Sequence, residues 1–288
     1  MGRVGIDLYP NELATPLREV QTYTRFVGGF AGNVATGLAR LGVSAAIVSR
    51  VGDDPHGEFV RDWLAAEGVD VRWLSTDPYW LTPPTFCEVW PPDRFPIFFY
   101  RRPTAPDWQL SPEDFDPGET AAVPLLYATG TGLAQSPSRE TTLATLRAHR
   151  GTTIFDLDWR PPLWKEPAEY PELAAEGAAA SDLVIGNEEE AAAAQLGEVP
   201  CLVLKRAERG ATVYEDGQAT DVPGRMVEVV NGLGAGDAFA AAVGYGLLRG
   251  MPLVEAARLG NVAGAIVASR LACSAAMPRR EELEEALV

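Results

Sequence analysis

The chain has 288 residues, 47% of them hydrophobic, which is enough to bury a large core as one α/β domain. Its formal charge of −16 opposes nucleic-acid phosphates and anionic lipid surfaces, so neither is an expected partner. No run of about 18 apolar residues occurs, the opening Met-Gly-Arg-Val-Gly-Ile-Asp lacks a secretory layout, and Cys87, Cys201 and Cys273 lie far apart; a cytosolic protein with neither a disulfide framework nor a zinc site is expected.

In chain order, the first residues read as a strand. A helix over 34–41 stops at Gly42, a strand follows over 45–49 and a helix over 58–66. Further on, strand-like runs at 152–157, 183–185 and 202–204 alternate with helical stretches at 174–179 and 188–196, the mark of βαβ units and a mostly parallel sheet. Two apolar helices, 238–248 and 253–268, close the pattern. Stretches 10–27 and 73–106 break it with prolines, aromatics and short alternating runs at 85–90 and 96–100, so they are expected to pair into a small antiparallel sheet, a lid on a single domain spanning 1–288.

The most informative segment is Asn231-Gly232-Leu233-Gly234-Ala235-Gly236-Asp237, which follows the apolar run 226–230 and opens a helix. Glycines there let backbone N–H groups converge, and the helix start adds about half a positive charge. The result is an anion hole of the kind phosphoryl transfer uses. Asp237 is then either a cap for the helix or a base facing the site. A second turn, Gly28-Gly29-Phe30-Ala31-Gly32-Asn33, precedes the helix over 34–41. Asn33 offers a donor and an acceptor suited to paired hydroxyls, or caps that helix.

With both turns, Gly42, Gly52 and the Asn187-x-x-Glu190 spacing, the whole chain resembles the PfkB, or ribokinase-like, carbohydrate kinases. The resemblance implies a three-layer α/β/α sandwich with the small β lid, ATP and Mg2+ as cofactors, and a monovalent cation such as K+ near the late glycine turn, as is common in relatives. It implies Asp237 as catalytic base, with Gly234, Ala235 and Gly236 as the anion hole. Asp7, Gly28, Gly29 and Asn33 would contact substrate hydroxyls. Asn187, Lys205, Gly210 and Asn261 would lie around the nucleotide, and Glu190 would organise Mg2+ through water. Asn231-Gly232 stands where relatives often carry Asp-Thr. Residues 2–10, 85–101 and 156–160 are most similar to members acting on a sugar acid, 5-dehydro-2-deoxygluconate, at its terminal hydroxyl; 2-keto-3-deoxygluconate, fructose, ribose or a nucleoside are the alternative acceptors. A sugar-binding protein without catalysis is the alternative of another class.

A sugar acid needs a guanidinium for its carboxylate, and Arg101 and Arg160 are the candidates, each also an ordinary partner for nearby acids. Aromatics at Trp80, Phe86, Trp90, Phe95, Phe98, Phe99 and Tyr100 favour a homodimer formed through the β lid, or else pack on the main domain. His56 and His149 are expected at the surface.

Overall fold

The computed structural model describes residues 1–287. Its first half contains β1 (Gly5–Pro10), β2 (Tyr23–Gly28), α1 (Phe30–Arg40), β3 (Ser49–Gly52), α2 (Pro55–Ala66), β4 (Leu74–Asp77), β5 (Pro84–Cys87), β6 (Ile97–Phe99), α3 (Pro117–Ala122), β7 (Leu125–Thr129) and α4 (Ser138–Ala148). The second half contains β8 (Thr152–Asp156), α5 (Tyr170–Ala179), β9 (Leu183–Asn187), α6 (Glu188–Ala194), β10 (Cys201–Lys205), β11 (Ala211–Glu215), β12 (Gln218–Val222), α7 (Ala235–Leu248), α8 (Leu253–Ala268) and α9 (Arg280–Ala286).

Six strands form the central sheet in the order β12-β11-β10-β9-β8-β7. β7 to β10 are parallel and β11 and β12 add an antiparallel edge. Successive side chains on a strand point to opposite faces, and here both faces are apolar, as a sheet covered on both sides requires. Tyr127, Ile154, Ile185 and Val203 pack with Phe30 and Val34 of α1, Phe239 and Val243 of α7 and Val262 of α8. Their neighbours Leu126, Ala128, Phe155 and Val184 pack on the other face with Leu143 of α4 and Leu173 of α5. Three layers result. Gly177 lets α5 approach closely, because a Cβ there would lie 2.5 Å from the Phe155 ring.

A smaller sheet has the order β2-β1-β5-β6. It differs from the antiparallel lid expected: β1–β2 and β5–β6 are antiparallel, but β1 and β5 are parallel through Ile6↔Pro84, Asp7↔Thr85 and Leu8↔Phe86. Parallel pairing needs a long crossover, and the chain between β1 and β5 supplies one through α1 and α2. The sheet also begins before residue 10, and β4 pairs with β3 instead of joining it. The strand expected over 45–49 starts only at Ser49, with Ala46 making a single bridge to Asp70. α2 starts earlier than its apolar pattern because Asp54 caps it, accepting from the N–H groups of His56 and Gly57 at 2.8 and 3.1 Å.

Candidate active site

Open α/β sheets present ligand sites at the carboxyl ends of their parallel strands. Here those ends carry Asp156 on β8, Asn187 on β9 and Lys205 on β10. Lys205 Nζ lies 3.0 Å from Asp156 Oδ2 and 3.9 Å from Glu190 Oε2. Asn187 and Glu190 form a capping box at the start of α6: Glu190 N–H donates to Asn187 Oδ1 and Asn187 N–H to Glu190 Oε2, both at 2.8 Å. Arg160 Nη1 donates to Glu190 Oε1 at 2.8 Å, and its Nη2 lies 3.2 Å from Asp158 Oδ1. Burial pushes the Asp156 carboxyl up to about 7 against the pull of Lys205. The same carboxylates hold the Lys205 and Arg160 cations above their ordinary range despite burial.

The late glycine turn meets this edge. Gly234 has φ +84°, and a Cβ there would lie 2.9 Å from Cys273 Cβ. Asn231 is fully buried and locks the turn: its Oδ1 accepts from Leu233 N–H at 3.1 Å and its Nδ2 donates to Leu271 O at 2.6 Å. Asp237 follows in the first turn of α7. No side chain caps this helix; the Asp237 carboxylate instead accepts from Asn33 Nδ2 at 2.6 Å. Burial pushes its carboxyl up to about 6, while the Asn33 N–H, Lys205 and Arg160 oppose that rise. Were Asp237 to serve as a base it would have to be ionised, so kcat/KM would fall tenfold per pH unit below about 6, which a pH–rate profile measures.

The early glycine turn brings α1 against β1. Gly29 has φ +87°, and a Cβ there would lie 2.6 Å from the carbonyl oxygen of Arg3. Gly29→Ala is therefore expected to lower stability by about 1–3 kcal/mol, read as a drop in melting temperature. Gly28 stands at 2.1 Å, Cβ to carboxylate, from Asp7, so its lack of a side chain makes room for that acid. Burial and the nearby Asp237 push the Asp7 carboxyl up to about 7, and Arg3 opposes them.

These groups wall one cavity of about 340 Å³, which contains Asp7, Gly29, Asn33, Arg160, Asn187, Glu190, Lys205, Gly234, Ala235, Gly236 and Asp237. A second, more apolar cavity of about 540 Å³ shares Lys205, Ala207, Gly232, Ala235 and Gly236 with it and contains Gly210 and Asn261. Asn261 Nδ2 donates to the carbonyls of Val222 and Pro223. Gly28 lies behind Asp7, outside the first cavity wall.

Arg101 is not at this site. Its guanidinium is buried, donates to Asp107 and lies over the Trp108 ring, and it faces a separate cavity beside Phe99. Asp107, six residues on, claims its charge in the interior, where an unpaired guanidinium would be costly. Arg3, Asp158, Phe99, Cys87 and Cys273 also wall the first cavity, though the sequence reading did not single them out for it. For Asp158 the available signal is the acidic doublet of Asp156 and Asp158 at a strand's carboxyl end; for Arg3 there is none. His56 and His149 line neither cavity, but each is only partly exposed.

Residues 1–280 match the sequence profile of the pfkB family carbohydrate kinases. The chain is 33% identical to a 5-dehydro-2-deoxygluconokinase of Clostridium tetani over 99% of this chain and 91% of that protein. It is 35% identical to one of Shouchella clausii over 99% and 93%. A sugar kinase of Pyrococcus horikoshii solved with ATP superposes with a TM-score of 0.88 at 26% identity, covering 99% of this chain and 98% of that one. A fructokinase of Vibrio cholerae holding fructose, ADP and calcium does so at 0.88 and 25%, covering 100% and 97%.

Proposed function

We propose that this chain, which belongs to the pfkB family of carbohydrate kinases and is an ATP-dependent sugar kinase, phosphorylates 5-dehydro-2-deoxygluconate at its terminal hydroxyl with Asp237 as general base. The observation that carries the reading is the Asp237 carboxylate: it stands half-buried at the start of α7, makes no cap, and shares one cavity with Lys205 and Arg160. The names of its relatives and the cations of that cavity favour an acidic acceptor.

In the proposed reaction, the acceptor hydroxyl oxygen forms a bond to the γ-phosphorus as the bond from that phosphorus to the β,γ-bridging oxygen breaks, leaving ADP. The hydroxyl proton passes to Asp237, which the Asn33 N–H keeps oriented. Backbone N–H groups of Gly234 to Asp237, with Lys205 and Arg160, compensate the charge spread over the transferring group. The second cavity takes the nucleoside, so the phosphates cross the shared edge at Gly232 to Gly236.

A divalent cation fits only loosely. Among the described residues no group of three or more His, Cys, Asp or Glu could hold a metal, and both oxygens of Glu190 already accept hydrogen bonds. Glu190 and Asp156 would therefore hold Mg2+ through water, which suits an ion that dehydrates reluctantly; when bound, it would neutralise phosphate charge.

The small sheet serves as the lid over the first cavity, to which it contributes Asp7, Tyr9, Thr85, Cys87, Ile97 and Phe99. Tyr79, Leu81, Phe98 and Tyr100 are exposed on or beside it, which supports a homodimer through this sheet. No helix among the described residues is long and apolar enough to cross a membrane. The test of the acceptor is ADP release with Mg-ATP against sugar acids, free sugars and nucleosides. The highest kcat/KM is expected with 5-dehydro-2-deoxygluconate; a higher value with a neutral sugar or nucleoside overturns the substrate, and no release with any acceptor favours a non-catalytic sugar binder.

A further inference from the structure

Three cations wall the reaction cavity, and their partners separate them. Lys205 has Asp156 and Glu190 beside it. Arg160 lies between Glu190 and Asp158. Both line the cavity that contains Asp237, and Lys205 Nζ and both Nη atoms of Arg160 face an acid. Arg3 differs in how it is paired: among the described residues its only acidic partner is Asp158, which Arg160 shares.

Arg3 is held as a built recognition group would be. It is 8% exposed, and its carbonyl, which accepts from Ala31 N–H at 3.0 Å, ties it to the start of α1. Two edges of its guanidinium are used: Nε donates to Thr131 Oγ1 at 2.8 Å, and Nη2 donates to Asp158 Oδ1 and Oδ2 at 3.3 and 3.0 Å. Its Cζ lies 5.7 Å from the ring centroid of Phe99, another wall of the cavity. Nη1 has no hydrogen-bond partner among the described residues, yet it is not one of the sealed, unpartnered atoms of the interior. A fixed guanidinium with one unpaired nitrogen, on a residue that walls a ligand cavity, is matched by a carboxylate oxygen, which a charged donor binds more strongly than it binds a hydroxyl.

We propose that Arg3 is the specificity-determining residue of the acceptor site, binding through Nη1 the carboxylate of a sugar acid whose far hydroxyl is at Asp237. This rests on the sugar-acid reading above and assigns the acid group to Arg3, which shares Asp158 with Arg160 but keeps one nitrogen unpaired. A neutral sugar leaves that Nη1 without an acceptor, and sites built to pair a polar group discriminate strongly against ligands that lack the partner.

The experiment compares kcat/KM for 5-dehydro-2-deoxygluconate with that for D-fructose in the wild type, Arg3→Gln and Arg3→Lys, with ADP binding and melting temperature as folding controls. For Arg3→Gln the acid-to-neutral ratio is expected to fall by about 10²-fold, mainly through KM for the acid. Should Arg3→Gln fail to fold, Arg3→Lys decides: it keeps a charge beside Asp158 but loses the fork, and its ratio is expected to fall about tenfold. An unchanged ratio in a folded variant, with both acceptors losing equally, would show that Arg3 merely props Asp158 and overturns the inference alone. A wild type that does not favour the acid overturns the sugar-acid reading itself, and this inference with it.

Discussion

Asp237→Asn is expected to lower kcat by at least about 10²-fold, because a positioned general base contributes about 10²–10⁴-fold. Asparagine preserves the shape of the side chain, and its amide oxygen still accepts from Asn33 Nδ2, the one hydrogen bond that the carboxylate makes to another side chain. It has no basic oxygen for the acceptor proton. Removing the charge also relieves repulsion toward phosphate, so ADP affinity by calorimetry should match or exceed that of the wild type. Loss of turnover with intact binding separates a base from a structural acid. A rate within about fivefold of wild type would instead assign deprotonation to solvent or to another carboxylate. Asp7 would then be next to examine, since its carboxyl is also raised and it lines the same cavity.

What the sequence disclosed about this site depends on how far apart in the chain the interacting groups are. The glycine turn before α7 and the Asn187–Glu190 capping box are local: the chemistry lies within a few residues and is visible as spacing. The limits of α8, Leu253–Ala268, were equally legible, because an Ala- and Leu-rich apolar stretch closed at both ends has few other ways to bury itself. Arg3 and Asp158 are 155 residues apart and meet only after β1 and β8 are placed, so their pairing carries no local mark. Arg101 failed differently. An arginine in an aromatic run reads as an available cation, but Asp107 lies in a short turn whose fold-back, at a spacing that is neither helical nor strand-like, brings it to that guanidinium. Pairing direction in the small sheet was also out of reach, since short alternating runs look the same in parallel and antiparallel ladders.

Lys205→Met should separate stability from chemistry at the other end of the cavity. Asp156 is 2% exposed and Glu190 3%, so removing the cation between them leaves two buried carboxylates facing each other. Breaking such a pair typically costs about 3–5 kcal/mol. Asp156 can escape part of that by taking up a proton, which sets the pH dependence. Its folded-state value already stands at about 7, against 3.8 for the free group, so wild-type stability from this site declines between those two values as pH rises and then levels off. Without Lys205 the folded value rises further. The decline then continues past pH 7, so the gap between variant and wild type is small below about 7 and widens above it. Urea titrations at pH 6 and pH 8.5 measure that gap, and an equal gap at both would mean that Asp156 does not titrate there. The double variant Lys205→Met/Asp156→Leu removes the orphaned acid and should recover most of the lost stability. Its turnover should nevertheless remain down by about 10²-fold or more, because no packing repair replaces the positive charge that the proposed reaction sets against the transferring phosphoryl group.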